Sequence, residues 1–516
     1  MLSLMRSPTR RDALSGAVSA ALALGVSELA AGLLGLPSLI EGLGNWVIDV
    51  VPTPVKDWAI GTFGTNDKLV LLIGIAVVTI LLGALVGIIA RNRFWIGVAV
   101  FIGLGVAAAL AAVRDPRVAL GMAVIPAGLA SITGLAALQW LYGRTAEPEP
   151  GDQDEADSYD ESRRSLVLGV GAVLGVAVIS AGLGRAFLDR AKRTVAGRTD
   201  VTLPIASQPL PSPPAAAELG IDGLSPVLTP NETFYRIDTA FSVPRVDLQE
   251  WTLTVEGRVE RPYSIDYFDL LDMPMVERDV TLSCVSNEVG GDLVGNARWL
   301  GVPLIEILDR AGLRDDAEQL VGRSVDRFTV GFPVEAAYDG RDALVVVGMN
   351  GEPLPLEHGF PARLVVAGLY GYVSATKWLS SIELTGWDEF DAYWVPRGWA
   401  KEAPIKTQSR IDAPRHRARL EPGRHQVAGV AWAPTRGISK VEVKPGADGD
   451  WIEADLSEPL SDNCWRQWVV EWEATAGTYQ LQVRATDGEG NPQTDELRPP
   501  APDGATGWHT IEVEVV

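Results

Sequence analysis

The 516-residue chain has only two cysteines, Cys284 and Cys464, so no disulfide framework staples it, and a single bridge between them is permitted but not implied. It has four histidines, His358, His416, His425 and His509, and none falls in a long apolar run, so those runs hold no bis-histidine haem of their own. Neither a flavin motif nor an iron–sulfur cysteine set is present. Basic residues are in deficit, 44 against 66 acidic for a net charge of −22, and no basic stripe interleaved with aromatics occurs. Such a chain repels phosphates, which excludes nucleic acid as a partner. Charges are almost absent from the apolar runs, which leaves little for an ion path; Glu28 is the main exception, as a helix contact or a relay.

What the chain has in excess is apolar sequence before residue 190. Five runs, at 13–36, 68–90, 94–113, 118–141 and 166–183, are long enough or nearly so to cross about 30 Å of hydrocarbon as helices. Arg6, Arg10 and Arg11 precede the first, Arg91 and Arg93 separate the second and third, and Arg144, Arg163 and Arg164 separate the fourth and fifth. The positive-inside rule puts these on the cytoplasmic side, and alternation then puts everything after the fifth span outside. Arg114 and Arg117, with Asp115 between them, weakly oppose that scheme. The segment 37–66 carries Trp46 and Trp58 and reads either as an interfacial helix or as an external loop. Residues 145–162 are acidic and read as a solvated cytoplasmic loop. That loop ends in SRRSLVL (162–168), which resembles a twin-arginine export signal; the alternative is two arginines anchoring a helix on the inside. No small-residue cleavage site follows, so the fifth helix is expected to stay as an anchor. The expectation is a multi-pass protein of a bacterial cell membrane with its later domains on the extracytoplasmic side.

Residues 190–230, with Pro204, Pro209, Pro211, Pro213, Pro214 and Pro226, read as a semi-rigid linker after the 1–189 anchor region. From 231 to 412 short strands and helices alternate in an α+β pattern, with a hairpin signal at Asn350-Gly351 and a helix at 303–311 ended by Gly312. From 413 to 516 short alternating segments recur between turn signals, as in an immunoglobulin-like β-sandwich. Its tryptophans are most simply core, and Cys464 a buried thiol.

The stretch that carries chemistry is 281–304, TLSCVSNEVGGDLVGNARWLGVPL, which reads as a loop built around one sulfur. By spacing alone Cys284 fits an inert buried hydrophobe or a ligand. A cysteine nucleophile needs a base, for which His358 is available but no acidic orienter is evident. A zinc site needs three or four ligands, which one thiol and scattered histidines do not supply. A single thiolate can instead complete the coordination of a metal held mainly by an organic cofactor, and Arg236, Arg363 and Lys377 could receive such a cofactor's phosphate.

Taken with EHGFPARLVVAGLYGYVSATKWLSSIEL (357–384), the Cys284 stretch resembles the sulfite oxidase superfamily of molybdopterin enzymes, over roughly residues 231–384. The resemblance implies that Cys284 ligates molybdenum in a molybdenum–molybdopterin cofactor, and that Asn231, Tyr235, Arg236, Asn287, His358, Arg363, Ala375, Thr376 and Lys377 bind it. It implies an oxidoreductase transferring an oxygen atom or electron pair to or from a small-molecule or sulfoxide-type substrate, with a C-terminal domain of dimerisation type; the apolar runs make it membrane-anchored, and with no haem expected and no other redox motif present a separate electron-transfer partner is expected. Two departures bear on substrate. Glu288 and Val289 follow Asn287 where arginines are expected, and Phe328 stands where a tyrosine is expected. The alternatives are a sulfite dehydrogenase proper and a catalytically silent binding module on the same fold.

Overall fold

The structure is a computed structural model describing residues 7–52, 55, 58, 59, 62, 63, 66–114, 118, 120–144, 155–193, 201–240, 243–446 and 449–516. Two compact units separate: Met1–Val195 with Ala240–Val243, and Ala196–Thr239 with Pro244–Val516.

The first unit contains helices α1 (Pro8–Leu34), α2 (Leu39–Val50), α3 (Asp67–Ala90), α4 (Phe94–Ala112), α5 (Leu120–Gly143) and α6 (Glu155–Arg193). Among the described residues five apolar stretches are long enough to cross a membrane: α1, α3, α4, α5 and Arg164–Leu188 of α6. Helix α1 packs closely on its neighbours because glycines let backbones approach: Gly16 meets Gly83 and Gly87, Gly25 meets Ala177 and Gly32 meets Gly184. A Cβ on Gly16 would stand 2.0 Å from the Gly83 carbonyl oxygen. Glu28 ties three helices together, accepting from the Ser38 hydroxyl and lying 3.3 Å from Arg185 Nε, while Arg185 Nη1 lies 3.0 Å from Glu41.

Helix α2 occupies the first part of the segment read as interfacial helix or loop; Leu39 is buried in a cluster with Ala108 and Ala112, and Trp46 is exposed. The acidic stretch differs from its expectation. Residues 145–154 lie outside the described residues, but α6 already begins at Glu155, so 155–162 are helical and not loop. That half has no glycine or proline to stop a helix propagating outward from the apolar run.

In the second unit, the proline-rich residues 201–230 run as a strap over the modules that follow. Ser207 N donates to Met275 O at 2.8 Å, Leu219 N to Gln467 Oε1 at 2.7 Å, and Val227 O accepts from Asn296 Nδ2 at 2.8 Å and Trp465 Nε1 at 2.9 Å. Proline lacks a donor and cannot join a ladder, so side chains as well as backbone groups hold this strap.

The α+β module has two sheets. One holds β1 (Thr252–Gly257), β2 (Tyr263–Asp266), β5 (Gln319–Ser324), β6 (Thr329–Pro333) and β10 (Leu379–Thr385), in the order β2-β1-β10-β5-β6. The other holds β3 (Val276–Ser283), β4 (Val294–Pro303), β7 (Ala343–Met349) and β8 (Glu352–Pro353) in that order, with β9 (Arg363–Val366) also on β7. Asn350 and Gly351, both at positive φ, turn β7 into β8. Three short helices, α7 (Tyr267–Leu271), α8 (Leu304–Ala311, capped by Gly312 at φ 70°) and α9 (Gly371–Ser374), complete it.

The Cys284 stretch, read as one loop, is a hairpin: β3 and β4 pair with Thr281 opposite Asn296 and Ser283 opposite Val294, leaving a loop of 284–293. Strand β4 escaped the sequence reading because both its faces are buried, Trp299 completely, so it shows no alternation of polar and apolar residues.

The C-terminal module packs sheet β11 (Gln408–Ala413), β13 (Gly423–Trp432), β17 (Arg466–Ala474), β16 (Asp455–Leu456) against sheet β12 (Ala418–Leu420), β19 (His509–Val515), β18 (Gly477–Asp487), β14 (Ile438–Pro445), β15 (Ile452–Glu453). Val427, Val441, Trp468, Val483 and Val513 fill the space between them. Strand β11 lies mostly ahead of residue 413, where the sequence starts this module.

Candidate active site

Cys284 leaves the end of β3 and is buried. Its amide donates to Leu293 O at 2.9 Å and its carbonyl accepts from Asn287 N at 3.1 Å, while Asn287 Oδ1 takes Leu293 N at 2.9 Å. The loop is thereby closed on itself, with Asn287 as its internal brace. Burial raises the thiol's pKa, opposed by hydrogen bonds from Ser286. No disulfide joins the two cysteines. Cys464 is buried away from the loop, where its thiol donates to Asp279 O at 3.1 Å. Among the described residues no three His, Cys, Asp or Glu side chains converge as a metal-binding group.

Tyr235 reaches this site from the chain ahead of β1. Its ring stacks on Phe234 at 5.2 Å, and its hydroxyl is raised in pKa by burial and then by the Cys284 charge, with Arg363 opposing. The three side chains therefore share one electrostatic neighbourhood. Gly371, at the head of α9, closes the same space: a Cβ there would stand 3.9 Å from Ser283 O and 4.0 Å from the Tyr235 hydroxyl.

Behind it lies a basic cluster gathered by a single turn. Gly359, at φ 113°, is a position L side chains avoid, and a Cβ on it would lie 3.0 Å from Lys377 Cβ and 3.2 Å from Arg363 Cβ. His358 is buried; its Nε2 lies 2.9 Å from Asn231 O, and burial first of all lowers its pKa to about 4. Asn231 is itself fixed, donating to Glu352 Oε1 at 2.6 Å and accepting from Asn350 Nδ2 at 2.8 Å. Lys377 Nζ donates to Asp238 Oδ2 at 2.9 Å and to Glu357 O at 3.1 Å; burial brings its pKa down to about 8 against the pull of Asp238. Arg236, on the exposed side, donates to the same Asp238 oxygen at 2.9 Å.

Arg363 is the group whose surroundings test the expected cofactor. It is 5% exposed, donates Nη1 to His358 O at 3.0 Å and Nε to Leu364 O at 3.4 Å, and lies over the Trp299 ring at 5.1 Å. Among the described residues it has no carboxylate partner, and burial lowers its pKa to about 10. A buried guanidinium held only by carbonyls and a ring suits an incoming anion such as a phosphate. One free thiol beside a buried cluster of basic side chains fits a metal carried by a phosphorylated organic cofactor.

The structure thus brings Cys284, Tyr235, His358, Arg363 and Lys377 together, with Asn231 and Asn287 as braces and Arg236 at the rim. Thr376 does not turn inward: it is fully buried, its hydroxyl donates to Gly322 O at 3.3 Å and its carbonyl accepts from Leu364 N at 2.9 Å. Ala375 caps α9, its amide on Gly371 O at 3.0 Å. Glu288 is exposed. Phe328 packs against Tyr393 at 5.6 Å between ring centres, so a phenol from a distant segment stands beside the position that lacks one. Sequence reasoning missed Asp238, which holds both Arg236 and Lys377. It also missed Arg410 and His509, which reach the Cys284 loop from the C-terminal module. Asp238 lies two residues from Arg236, which was the one available signal; for the other two there was none.

The sequence around this site matches a molybdopterin-binding domain. Residues 240–394 match the family described as oxidoreductase molybdopterin binding domain. The chain is 28% identical over 340 residues to mitochondrial sulfite oxidase of Mus musculus, covering 56% of this chain and 62% of that protein, and 27% identical over 335 residues to sulfite oxidase of Arabidopsis thaliana, covering 53% and 84%. It therefore spans about 62% of the length of the mouse relative. The sulfane dehydrogenase SoxCD of Paracoccus pantotrophus shares the fold, at a TM-score of 0.50 and 23% identity, over 56% of this chain and 82% of that one. The domain that carries Cys284 is thus of molybdopterin oxidoreductase type and is similar to the sulfite oxidases.

Proposed function

We propose that this protein is a membrane-anchored molybdopterin oxidoreductase whose domain at 231–412 works on the extracytoplasmic side, tethered by the helices of 1–189. Support comes above all from one observation: a buried Arg363 with no carboxylate partner among the described residues, beside a loop that presents a single thiol. Arg363, Lys377 and His358 would hold the pterin and its phosphate, with Arg236 at the rim, and Cys284 would supply the protein's one ligand to molybdenum. When bound, the molybdenum–pterin group supplies two-electron oxygen-atom transfer. The chain's own part is to exclude water and fix geometry. Asn287 holds the loop, Gly359 brings the cations together, and Tyr235 offers a phenol close to the sulfur.

The substrate is a small molecule, and the chemistry of the rim narrows it. The relatives named above are sulfite oxidases, yet Glu288 stands where a cation is expected, so a neutral sulfur compound such as a sulfoxide suits this rim better than the sulfite anion. Electrons pass to or from a separate partner. The 413–516 sandwich is of immunoglobulin-like type and serves dimerisation, and SRRSLVL directs export of the loaded domain.

Full-length protein from a cofactor-competent host is expected to contain molybdenum and pterin in equal amounts, and Cys284→Ser to abolish turnover of sulfoxides while the melting temperature is kept. Wild-type protein without either component would sink the proposal. Turnover of sulfite in preference to sulfoxides and N-oxides would replace the substrate assignment with a sulfite dehydrogenase.

A further inference from the structure

The Cys284 loop is closed on itself by the bonds described above, but its far side, Gly290 and Gly291, is held by another module. Arg410, from β11, donates Nη1 to Gly291 O at 2.8 Å. The same guanidinium is fixed by Asp412 Oδ1 at 2.6 Å from Nε and by the strap's Ser225 hydroxyl at 2.8 Å from Nη2. Asp412 in turn accepts from Ser225 N at 3.0 Å, so arginine, aspartate and serine form one rigid unit. His509, the first residue of β19, accepts the Ile411 amide on Nδ1 at 3.0 Å, which leaves its proton on Nε2 and orients the ring. The edge of that ring lies against Gly290: a Cβ there would stand 2.2 Å from His509 Cδ2 and 2.3 Å from Nε2. Gly290 is at φ 80°, and a Cβ on Gly291 would lie 2.6 Å from Asn287 Oδ1, the brace of the loop.

Two residues of a second module thus reach over the outer side of the loop, one by a charge-assisted hydrogen bond and one by contact. The internal bonds of the loop join Cys284, Asn287 and Leu293, so on its glycine side the holding contacts are those from the second module. We propose that Arg410 and His509 are positioning residues that clamp the Cys284 loop from the C-terminal sandwich and so fix where the sulfur stands. The sandwich then has a share in the active site beyond any role in assembly. This rests on the reading of Cys284 as a metal ligand only for its consequence in the loaded enzyme; the clamp itself is a property of the polypeptide.

The test therefore has two readouts. In cofactor-free full-length protein, site-resolved alkylation of Cys284 by iodoacetamide is expected to rise about tenfold in Arg410→Ala, and to return towards the wild-type rate in Arg410→Lys. In Arg424→Ala, an exposed pair with Glu471 on the same module, it is expected to stay at the wild-type rate. In the loaded enzyme, the Mo(V) electron paramagnetic resonance signal is expected to shift in Arg410→Ala and His509→Ala and to recover in His509→Asn, which restores an acceptor for the Ile411 amide. Unchanged Cys284 alkylation in Arg410→Ala, or an equal rise in Arg424→Ala, would overturn the clamp. Absence of molybdenum in every variant and in the wild type would remove the ligand reading while the alkylation result still decided the clamp.

Discussion

Removing the Arg363 guanidinium from water costs several kcal/mol unless something polar replaces the water, and here the replacement is two backbone carbonyls and an indole face. The remaining deficit is what a bound phosphate would relieve. Arg363→Met keeps the volume and removes the donors, so pterin retained per polypeptide is expected to fall about 10- to 100-fold, the worth of one or two hydrogen bonds to a charged group. Fluorescence of the released, oxidised pterin measures it. Two histidines make a second prediction at this scale. His358 and His509 both have pKa values lowered to about 4, in each case chiefly by burial, against about 6.5 in an unfolded chain. The unfolded state therefore takes up protons first as pH falls. The contribution of these groups is present in full above 6.5 and is lost between 6.5 and 4, at about 1.4 kcal/mol per pH unit for each imidazole. Thermal melts of the cofactor-free chain should show the melting temperature falling through that window. A flat profile there would show that neither ring is buried neutral.

Among elements, the two turns that build the site both depend on glycine. Gly359 turns 3₁₀ backbone (Leu356–His358) back so that β9 can start at Arg363 beside Lys377. Gly359→Ala places a Cβ at φ 113° and within 3.0 Å of Lys377 Cβ, so a loss of about 1–3 kcal/mol of stability is expected, together with lower pterin content. Denaturant titration checks the first and pterin release the second; Ala tolerated on both counts would show that the turn has slack. The residues this turn gathers were legible, since HGFPAR carries the resemblance, but the turn itself was not read. The hairpin of β3 and β4 was less so. A strand buried on both faces, broken by Gly295 and Gly301, carries no periodic signal, and only the partner strands reveal it.

For the whole molecule, the apolar runs and the β-rich remainder were plain in the sequence, because membrane-length hydrophobic stretches and period-two alternation are local signals. Sidedness is testable at this scale. An epitope tag after Val516 is expected to be accessible to antibody on intact spheroplasts, and one placed within 145–154 only after lysis. The reverse pattern would invert the proposed topology. The strap of 201–230 shows the opposite case. Its prolines announce extended backbone, but that its carbonyls serve Asn296 and Trp465, more than sixty residues away, follows only from the fold.

By itself the sequence determined the helical and β-rich halves, the thiol at Cys284 and the basic residues that accompany it, since composition and short motifs carry that information. Tertiary structure alone decided that Arg363 is buried with no carboxylate partner among the described residues, that Asp238 holds both Arg236 and Lys377, and that Arg410 and His509 close over the Cys284 loop. The contacts of Lys377 with Asp238 and of Arg410 and His509 with the loop join residues about 120 to 220 positions apart. Pairing of that kind is set by how sheets pack, and no local pattern of side chains encodes it.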